Sequence, residues 1–449
     1  MQFNSVNFML YFPIVIGLYF VIPSKWRKMW LLLASYYFYM SWNAKYVLLI
    51  GTSTIATYIC GLLLSKCMKE KAAVWKKKTI IVSCMILNLG ILAVFKYGNF
   101  TIDSVNAILK MFHMNVIDRK IDLLLPVGIS FYTFQALGYI VDVYRGDVEA
   151  EKDFCRYALF VSFFPQLVAG PIERAGNLLG QLKEKHTKSR AALVNGAWLI
   201  LRGFYKKVVV ADYLAVYVDK VYSSPEKAGG IGAVLGTVFF AIQIYCDFSG
   251  YTDIARGAAR MMGIRLMENF RHPYRAVSIQ DFWRRWHISL TRWFTDYVYI
   301  PLGGNRKGFV KQCRNILIVF LLSGFWHGAS WNFVVWGMIH GIYMTAALVM
   351  TRIRKGKRTL LPPVAGWVVT LLLVNVAWVF FRAPSLAGAW QILKQPFVNP
   401  LGGGISETMF FLGIQGTAAL RLIFVGLSWM VLEQLSEEIY ERCQTKRAF

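Results

Sequence analysis

Six histidines are the side chains of this 449-residue sequence whose ordinary pKa suits proton transfer near neutrality. Three of them stand in or against apolar sequence, where an ionisable group is costly and is a functional candidate by default. His327 ends an apolar run, in Ser323-Gly324-Phe325-Trp326-His327-Gly328, and the flanking glycines leave room for a substrate or for another backbone. The competing reading, a histidine hydrogen-bonded into a helix bundle, stands level with it on these residues alone. His287 lies in Asp281-Phe282-Trp283-Arg284-Arg285-Trp286-His287-Ile288-Ser289-Leu290. As one helix, this segment puts Trp283, His287 and Leu290 on one face and turns Arg284 and Arg285 away. The imidazole would then face the protein and the guanidinium groups would face headgroups or an anionic donor; an interfacial helix whose histidine fills a polar gap is slightly the stronger reading. His340, in Trp336-Gly337-Met338-Ile339-His340-Gly341, sits inside a span and reads first as helix packing, with a cavity shared with His327 as the alternative. His113 and His186 lie in polar stretches, and His272 precedes Pro273 in a loop-like segment.

The chemistry open to such histidines is general base catalysis. A neutral imidazole within hydrogen-bond reach takes the proton of a hydroxyl as that hydroxyl attacks an acyl carbonyl. Asp247 and Asp253, in Tyr245-Cys246-Asp247-Phe248-Ser249-Gly250-Tyr251-Thr252-Asp253, can pair with Arg256 or orient a histidine; ion pairing is the stronger expectation. No H-x-x-x-H or H-E-x-x-H spacing occurs, so no metal site is expected. Nor is there a Walker loop, a G-x-S-x-G elbow or a dinucleotide fingerprint. The seven cysteines are odd in number, widely spaced and lack C-x-x-C, which argues against a disulfide framework or a zinc site.

The elements that must position these groups are membrane helices. Hydrophobic residues make up 56% of the chain and charged residues only 16%, too few to cover a soluble domain of this size. At about 20 apolar residues per span, the recurring apolar runs allow roughly ten to twelve. The net charge of +26 would suggest nucleic acid in a soluble protein. Here Lys and Arg gather in short loops between apolar runs, so the positive-inside bias and anionic lipid account for it and no nucleic-acid partner is expected. The first run, Val6 to Ile22, has basic residues after it (Lys25, Arg27, Lys28) and none before, the reverse of a signal peptide. A retained helix with its N-terminus outside is expected, which puts the basic loop Lys66 to Lys78 in the cytoplasm.

Spans are expected at 30–42, 46–65, 79–97, 194–218, 229–248, 316–326, 333–350, 364–381 and 420–435, with 99–122 and 396–407 as loops or surface segments and 352–358 as a basic loop. Pro126, Gly128, Gly138, Pro165, Gly170 and Pro171 interrupt apolar sequence, as in segments that line a cavity. Residues 256–315 are too charged to cross hydrocarbon and too aromatic for a solvated loop; short amphipathic helices dipping in from the cytoplasmic face are expected there. No internal repeat of the transporter type is evident.

Five motifs, in order, carry a resemblance that covers most of the chain up to about Arg382: PVGISFYTFQ at 126–135, AGPIER at 169–174, YCDFSGYTDIARG at 245–257, DFWRRWHISLTRWFTDYVYIPLGGN at 281–305 and SGFWHG at 323–328. Together they resemble the membrane-bound O-acyltransferase family, most of all its bacterial alginate O-acetyltransferase branch, with teichoic-acid D-alanyltransferases next. The resemblance implies an all-α, multi-pass protein of the bacterial cell membrane. It implies one membrane-embedded domain over 1–449, with about eleven transmembrane helices and re-entrant or interfacial helices around a central funnel. A single clear final span before Phe449 departs from the acetyltransferase branch, which runs longer. His327 matches the buried active-site histidine of the family and His287 its second histidine.

On this reading the chain moves an acyl group, expected to be acetyl, from the cytoplasm onto an extracytoplasmic polysaccharide. His327 is the expected base, and His287 orients the donor or stabilises the oxyanion. Substrate contacts are expected from Asp253, Asp247, Trp283, Trp286, Arg285, Ser289 and Trp326. No bound cofactor is expected; the donor is acetyl-CoA or a phosphopantetheine thioester on an acyl carrier protein, and the remaining partners are the glycan or a partner acyltransferase outside, and membrane lipids. The alternatives are D-alanyl transfer to teichoic acid, a non-catalytic glycan or lipid transporter, and a scaffold that recruits acylation partners.

Overall fold

The computed structural model describes residues 1–118, 121–122, 125–354, 362–402 and 404–445, with side chains to 435. Of the basic loop expected at 352–358, residues 355–358 lie outside this set. The described residues form helices and no strand. Seven helical stretches are long and apolar enough to cross a membrane: Ala44–Lys69, Val74–Met111, Pro225–Met261, Phe309–His327, Trp331–Ile353, Pro363–Arg382 and Thr417–Leu435; Val6–Val21 is a shorter apolar helix. The protein is an all-α, multi-pass membrane protein. The implied count of about eleven goes beyond these seven, because other helices are short, broken or rich in basic residues.

Several helices outrun the apolar runs that announced them. The span expected at 229–248 runs Pro225–Met261, with a kink at Gly229, and so takes in the Asp247–Asp253 motif and Arg256. The helix before Tyr97 passes through a π-helical turn, Ala93–Tyr97, and resumes as Gly98–Met111. The segment expected as a loop around Pro396 is helical over Leu386–Val398 and again over Gly404–Leu412.

The chain divides into two compact units, one of residues 1–198 and 255–358, the other of 199–254 and 359–449. In the first, the Pro/Gly-interrupted stretch becomes the helix Ile129–Arg145 and two short buried helices, Phe154–Ser162 and Phe164–Leu167. Gly128, the N-cap of the first, has φ +76°, and a Cβ there would collide with the Leu167 carbonyl oxygen, so position and conformation both require glycine. The helices Phe309–His327 and Trp331–Ile353 form a hairpin joined by three residues, with the Asn332 N–H donating to the Ser330 Oγ cap at 3.3 Å.

That hairpin closes through glycine. A Cβ on Gly324 would strike the Phe333 carbonyl oxygen, and one on Gly337 the Phe320 carbonyl oxygen; each would also lie within 3.3 Å of the other glycine. The room left by Gly324 is filled by the facing backbone, and Gly328 packs against the Phe333 ring. Of the two uses the sequence allowed, the close approach of another backbone is realised at Gly324, while a side-chain ring takes the room at Gly328. Gly324→Ala is expected to destabilise the protein by about 1–3 kcal/mol through overpacking. Gly17→Ala, where a Cβ meets nothing within 4 Å, serves as the matched control. Thermal unfolding in detergent reads the difference, and equal midpoints for the two variants would refute the packing role.

In the second unit, the π-helical turn Tyr205–Ala211 splays two consecutive lysines onto different carboxylates. Lys206 lies 3.4 Å from Asp253 and 2.8 Å from Glu433, while Lys207 lies 2.6 Å from Asp247 and 2.8 Å from Asp212. Arg202 holds Asp253 with two hydrogen bonds, from Nη2 at 2.6 Å and Nε at 3.0 Å.

Candidate active site

The site is assembled in the first unit from three pieces of chain. The first is the Asp281–Leu290 motif, which is broken and not the single helix its spacing suggested. One helix runs Ile279–Arg285 and the next Ile288–Phe294; between them Trp286 is extended and His287 is left-handed, with φ +42° and ψ +53°. The cause lies outside the motif. The Asn269–Arg271 segment runs alongside, so that the Ile288 N–H donates to the Asn269 carbonyl at 2.9 Å and the Arg271 N–H to the Arg285 carbonyl at 3.0 Å. These bonds replace helical ones and hold a non-glycine residue in a conformation it disfavours, a kind of strain that concentrates at functional sites.

Asn269 is fully buried and is the hub of the second piece. Its Oδ1 accepts from the Ser289 N–H at 3.1 Å, from the Ser289 hydroxyl at 2.9 Å, and lies 3.1 Å from His287 Nδ1. A backbone N–H can only donate, so this Asn269 atom is the oxygen. His287 must therefore carry its proton on Nδ1 and, when neutral, its lone pair on Nε2. His287 is 1% exposed, and burial lowers its imidazole from the ordinary histidine value to about 3. It is neutral at physiological pH, and its Nε2 is a hydrogen-bond acceptor. The oxyanion role expected for His287 would need an N–H there; this tautomer suits it to accepting a hydrogen bond instead.

The AGPIER loop braces this arrangement. The Ile172 N–H donates to Ser289 Oγ at 3.1 Å. Glu173, 2% exposed, accepts from the Met267 N–H at 2.5 Å and from Asn177 Nδ2 at 2.6 Å, tying down the strand of chain that ends at Asn269. Burial pushes the Glu173 carboxyl up to about 7. Arg174 pairs with Asp296 at 2.5 Å.

The third piece is the helix end at His327. Its ring centre lies 6.3 Å from that of His287, with the planes at 65°. Trp326 packs at 5.0 Å from His327 and 5.8 Å from His287; Trp336 closes the other side of His327 at 4.9 Å. His287 and His340 are buried, whereas His327 is partly exposed and so is the histidine a substrate can reach. The helix ends here with its last carbonyls held by the π-helical turn. Lys96 donates to the Trp326 carbonyl, and to Ser130 Oγ at 3.1 Å, while Tyr97 Oη donates to the Phe325 carbonyl at 2.5 Å. A cation on terminal carbonyls complements the helix dipole.

The remaining expected residues divide. Trp283 donates from Nε1 to His340 Nδ1 at 3.3 Å, and His340 is enclosed by Phe282, Phe320 and Trp336, which favours its packing role. Trp283 also lines a cavity of about 310 Å³ with Leu290, Phe294, Phe320 and Ser323. Trp286, 3% exposed, is a core ring against Phe270 and Phe282, and Arg285 pairs with Asp281 at 2.9 Å. Ser289 is buried and bonded on both sides, to Ile172 and Asn269, and so braces the site. Asp247 and Asp253 belong to the second unit, in ion pairs as the stronger expectation had it, with lysines and Arg202 as partners. Sequence reading missed Asn269, Glu173 and Lys96. Glu173 stood inside a quoted motif, and Lys96 was a lone cation in an apolar run, a signal available under the cost of charge at membrane depth.

Comparison with known proteins places the chain in a family. The pattern of the membrane-bound O-acyltransferase family matches residues 148–387. The chain is 40% identical over 401 residues to the "Probable alginate O-acetylase" of Azotobacter vinelandii, covering 88% of this chain and 78% of that protein. It is 35% identical over 424 residues to the peptidoglycan O-acetyltransferase of Helicobacter pylori, covering 87% and 79%. A teichoic acid D-alanyltransferase of Bacillus subtilis is 31% identical over 228 residues, 49% of this chain and 58% of that one. With paired histidines on adjoining helix ends and this likeness along most of its length, the chain belongs to the membrane-bound O-acyltransferase family and is an O-acyltransferase of the cell membrane.

Proposed function

We propose that the protein transfers an acetyl group from a thioester donor to hydroxyls of an extracytoplasmic polysaccharide. The observation that carries the site assignment is the meeting of His287 and His327 across the 39 residues between them, with ring centres 6.3 Å apart in a shared aromatic enclosure. His327 takes the proton of the attacking hydroxyl as the hydroxyl oxygen bonds to the acyl carbon. The tetrahedral intermediate expels the thiolate, which receives that proton, so ester and thiol are the products. His287 accepts a hydrogen bond at Nε2 from the donor and orients it. The donor is acetyl-CoA or a phosphopantetheine thioester on a carrier protein; a partner acyltransferase outside the membrane is the further candidate for the final acceptor.

Acetyl is favoured over D-alanyl because likeness to the two O-acetylating relatives extends over 87–88% of this chain and likeness to the D-alanyltransferase over 49%. Mass spectrometry of base-released acids from the glycans of wild-type and deletion cells tests this. Loss of acetate in the deletion is expected. Loss of D-alanine with acetate unchanged would transfer the assignment to teichoic-acid chemistry, and no change in either would refute the function.

A further inference from the structure

Apart from the site of His287 and His327, the first unit holds a second cavity of about 300 Å³ whose lining is basic. Lys25, Arg27, Lys28, Arg156, Lys183 and Lys185 contribute six cations, and Glu184 is the one carboxylate in the lining. Two carboxylates just behind it, Glu151 and Asp153, engage Lys28, Arg156 and Lys183. Lys25, Arg27 and Lys185 form no ion pair among the described residues. Arg27 is held in place by carbonyls, donating to His186 at 2.6 Å and to Ile22 at 3.1 Å, and its guanidinium lies over the Tyr19 ring at 5.1 Å.

Two features show what this charge is for. Lys25, Arg27 and Lys28 crowd the start of the helix Ser24–Met40, which has no acidic residue in its first turn and no side-chain cap. Cations there oppose the helix dipole, and such a local conflict is expected where a function compensates it. The second feature is the wall: Tyr19, Leu31, Leu159 and Ile264 are buried apolar or aromatic residues beside the cations. Trp26, 57% exposed, lies between Lys25 and Arg27 in the first turn of the helix Ser24–Met40, shortly after the apolar helix Val6–Val21 ends, which suits an interfacial anchor. A basic rim over an apolar wall at the membrane interface matches a headgroup above acyl chains.

We propose that this cavity binds the phosphodiester headgroup of an anionic phospholipid. A phosphate on a soluble molecule is the other source of the same chemistry, and the apolar wall and interfacial tryptophan favour the lipid. The assignment does not depend on the acyl-transfer reading.

The test uses native mass spectrometry of the full chain in detergent, titrated with phosphatidylglycerol, with phosphatidylcholine, and separately with inorganic phosphate. The variant is Lys25→Gln/Lys185→Gln, two exposed side chains without structural bonds, and the control is Lys76→Gln/Lys78→Gln in another basic loop. Each surface lysine contributes about fivefold to binding anionic lipid. Retention of phosphatidylglycerol is therefore expected to fall roughly ten- to thirtyfold in the variant and to change little in the control, with phosphatidylcholine weak throughout. Equal retention in variant and wild type, or equal loss in both pairs, overturns the site. Saturation by inorganic phosphate without preference for phosphatidylglycerol overturns the lipid assignment.

Discussion

His327→Ala is expected to cut glycan acylation by about a hundredfold or more while the protein accumulates in the membrane at its normal level. The magnitude is that of a lost general base, and it applies because His327 is the partly exposed member of the pair, at a helix end where a hydroxyl can approach. Folding should survive. Imidazole packs here between Trp326 and Trp336, but the helix end is held separately by Lys96 and Tyr97 on backbone carbonyls that the substitution leaves in place. Ester content, normalised to membrane protein, checks the expectation. Wild-type acylation in this variant would remove His327 from the mechanism. Transport or scaffolding would then be the better account of any loss seen on deletion.

The second large effect belongs to a residue that touches no substrate in this scheme. Asn269→Ala removes the acceptor shared by His287 Nδ1, the Ser289 N–H and the Ser289 hydroxyl. Three buried donors lose their partner, each at a cost of about 1–3 kcal/mol, and His287 is released from the tautomer that presents its lone pair. Activity is expected to fall by about 10- to 100-fold, by analogy with the loss of the outer partner that orients a metal-bound histidine. Asn269→Asp separates positioning from bulk stability. It keeps an oxygen in the same place but adds negative charge, which favours the imidazolium. In the wild type, His287 stays neutral down to about pH 3, so it contributes no acid limb near neutrality. In the aspartate variant, its pKa is expected to rise, and activity should fall on the acid side at a higher pH than in wild type. Superimposable pH–rate profiles would mean that the Asn269 contact does not govern His287.

Both predictions show where legibility in the sequence ends. Most of the apolar runs announced long apolar helices because burial in lipid is a property of composition summed over about 20 residues, whereas the runs expected at 30–42 and 194–218 fall in the 17-residue helix Ser24–Met40 and in helices broken at Tyr205–Ala211. The two histidines were legible as candidates for a related reason: an ionisable group beside apolar sequence is conspicuous wherever it folds. Helix ends were less legible. The span at 229–248 continued to Met261 because Arg and Asp side chains there find ion-pair partners from other segments, which no local apolar count records.

The break at Trp286–His287 could not be read from the motif. Its spacing fits one helix, and the helix is interrupted by hydrogen bonds from Asn269 and Arg271, 16 to 18 residues earlier in the chain. For the same reason Ser289 and Arg285 looked like substrate contacts in the linear motif and proved to be occupied, one by Ile172 and Asn269, the other by Asp281. What the sequence determined by itself was the solvent the protein lives in, the helices that cross it and the histidines worth attention. The tertiary structure decided the tautomer of His287, the reach of His327 and the partners of Asp253. Those depend on directional bonds between segments distant in the chain, and residue type and spacing leave such bonds open.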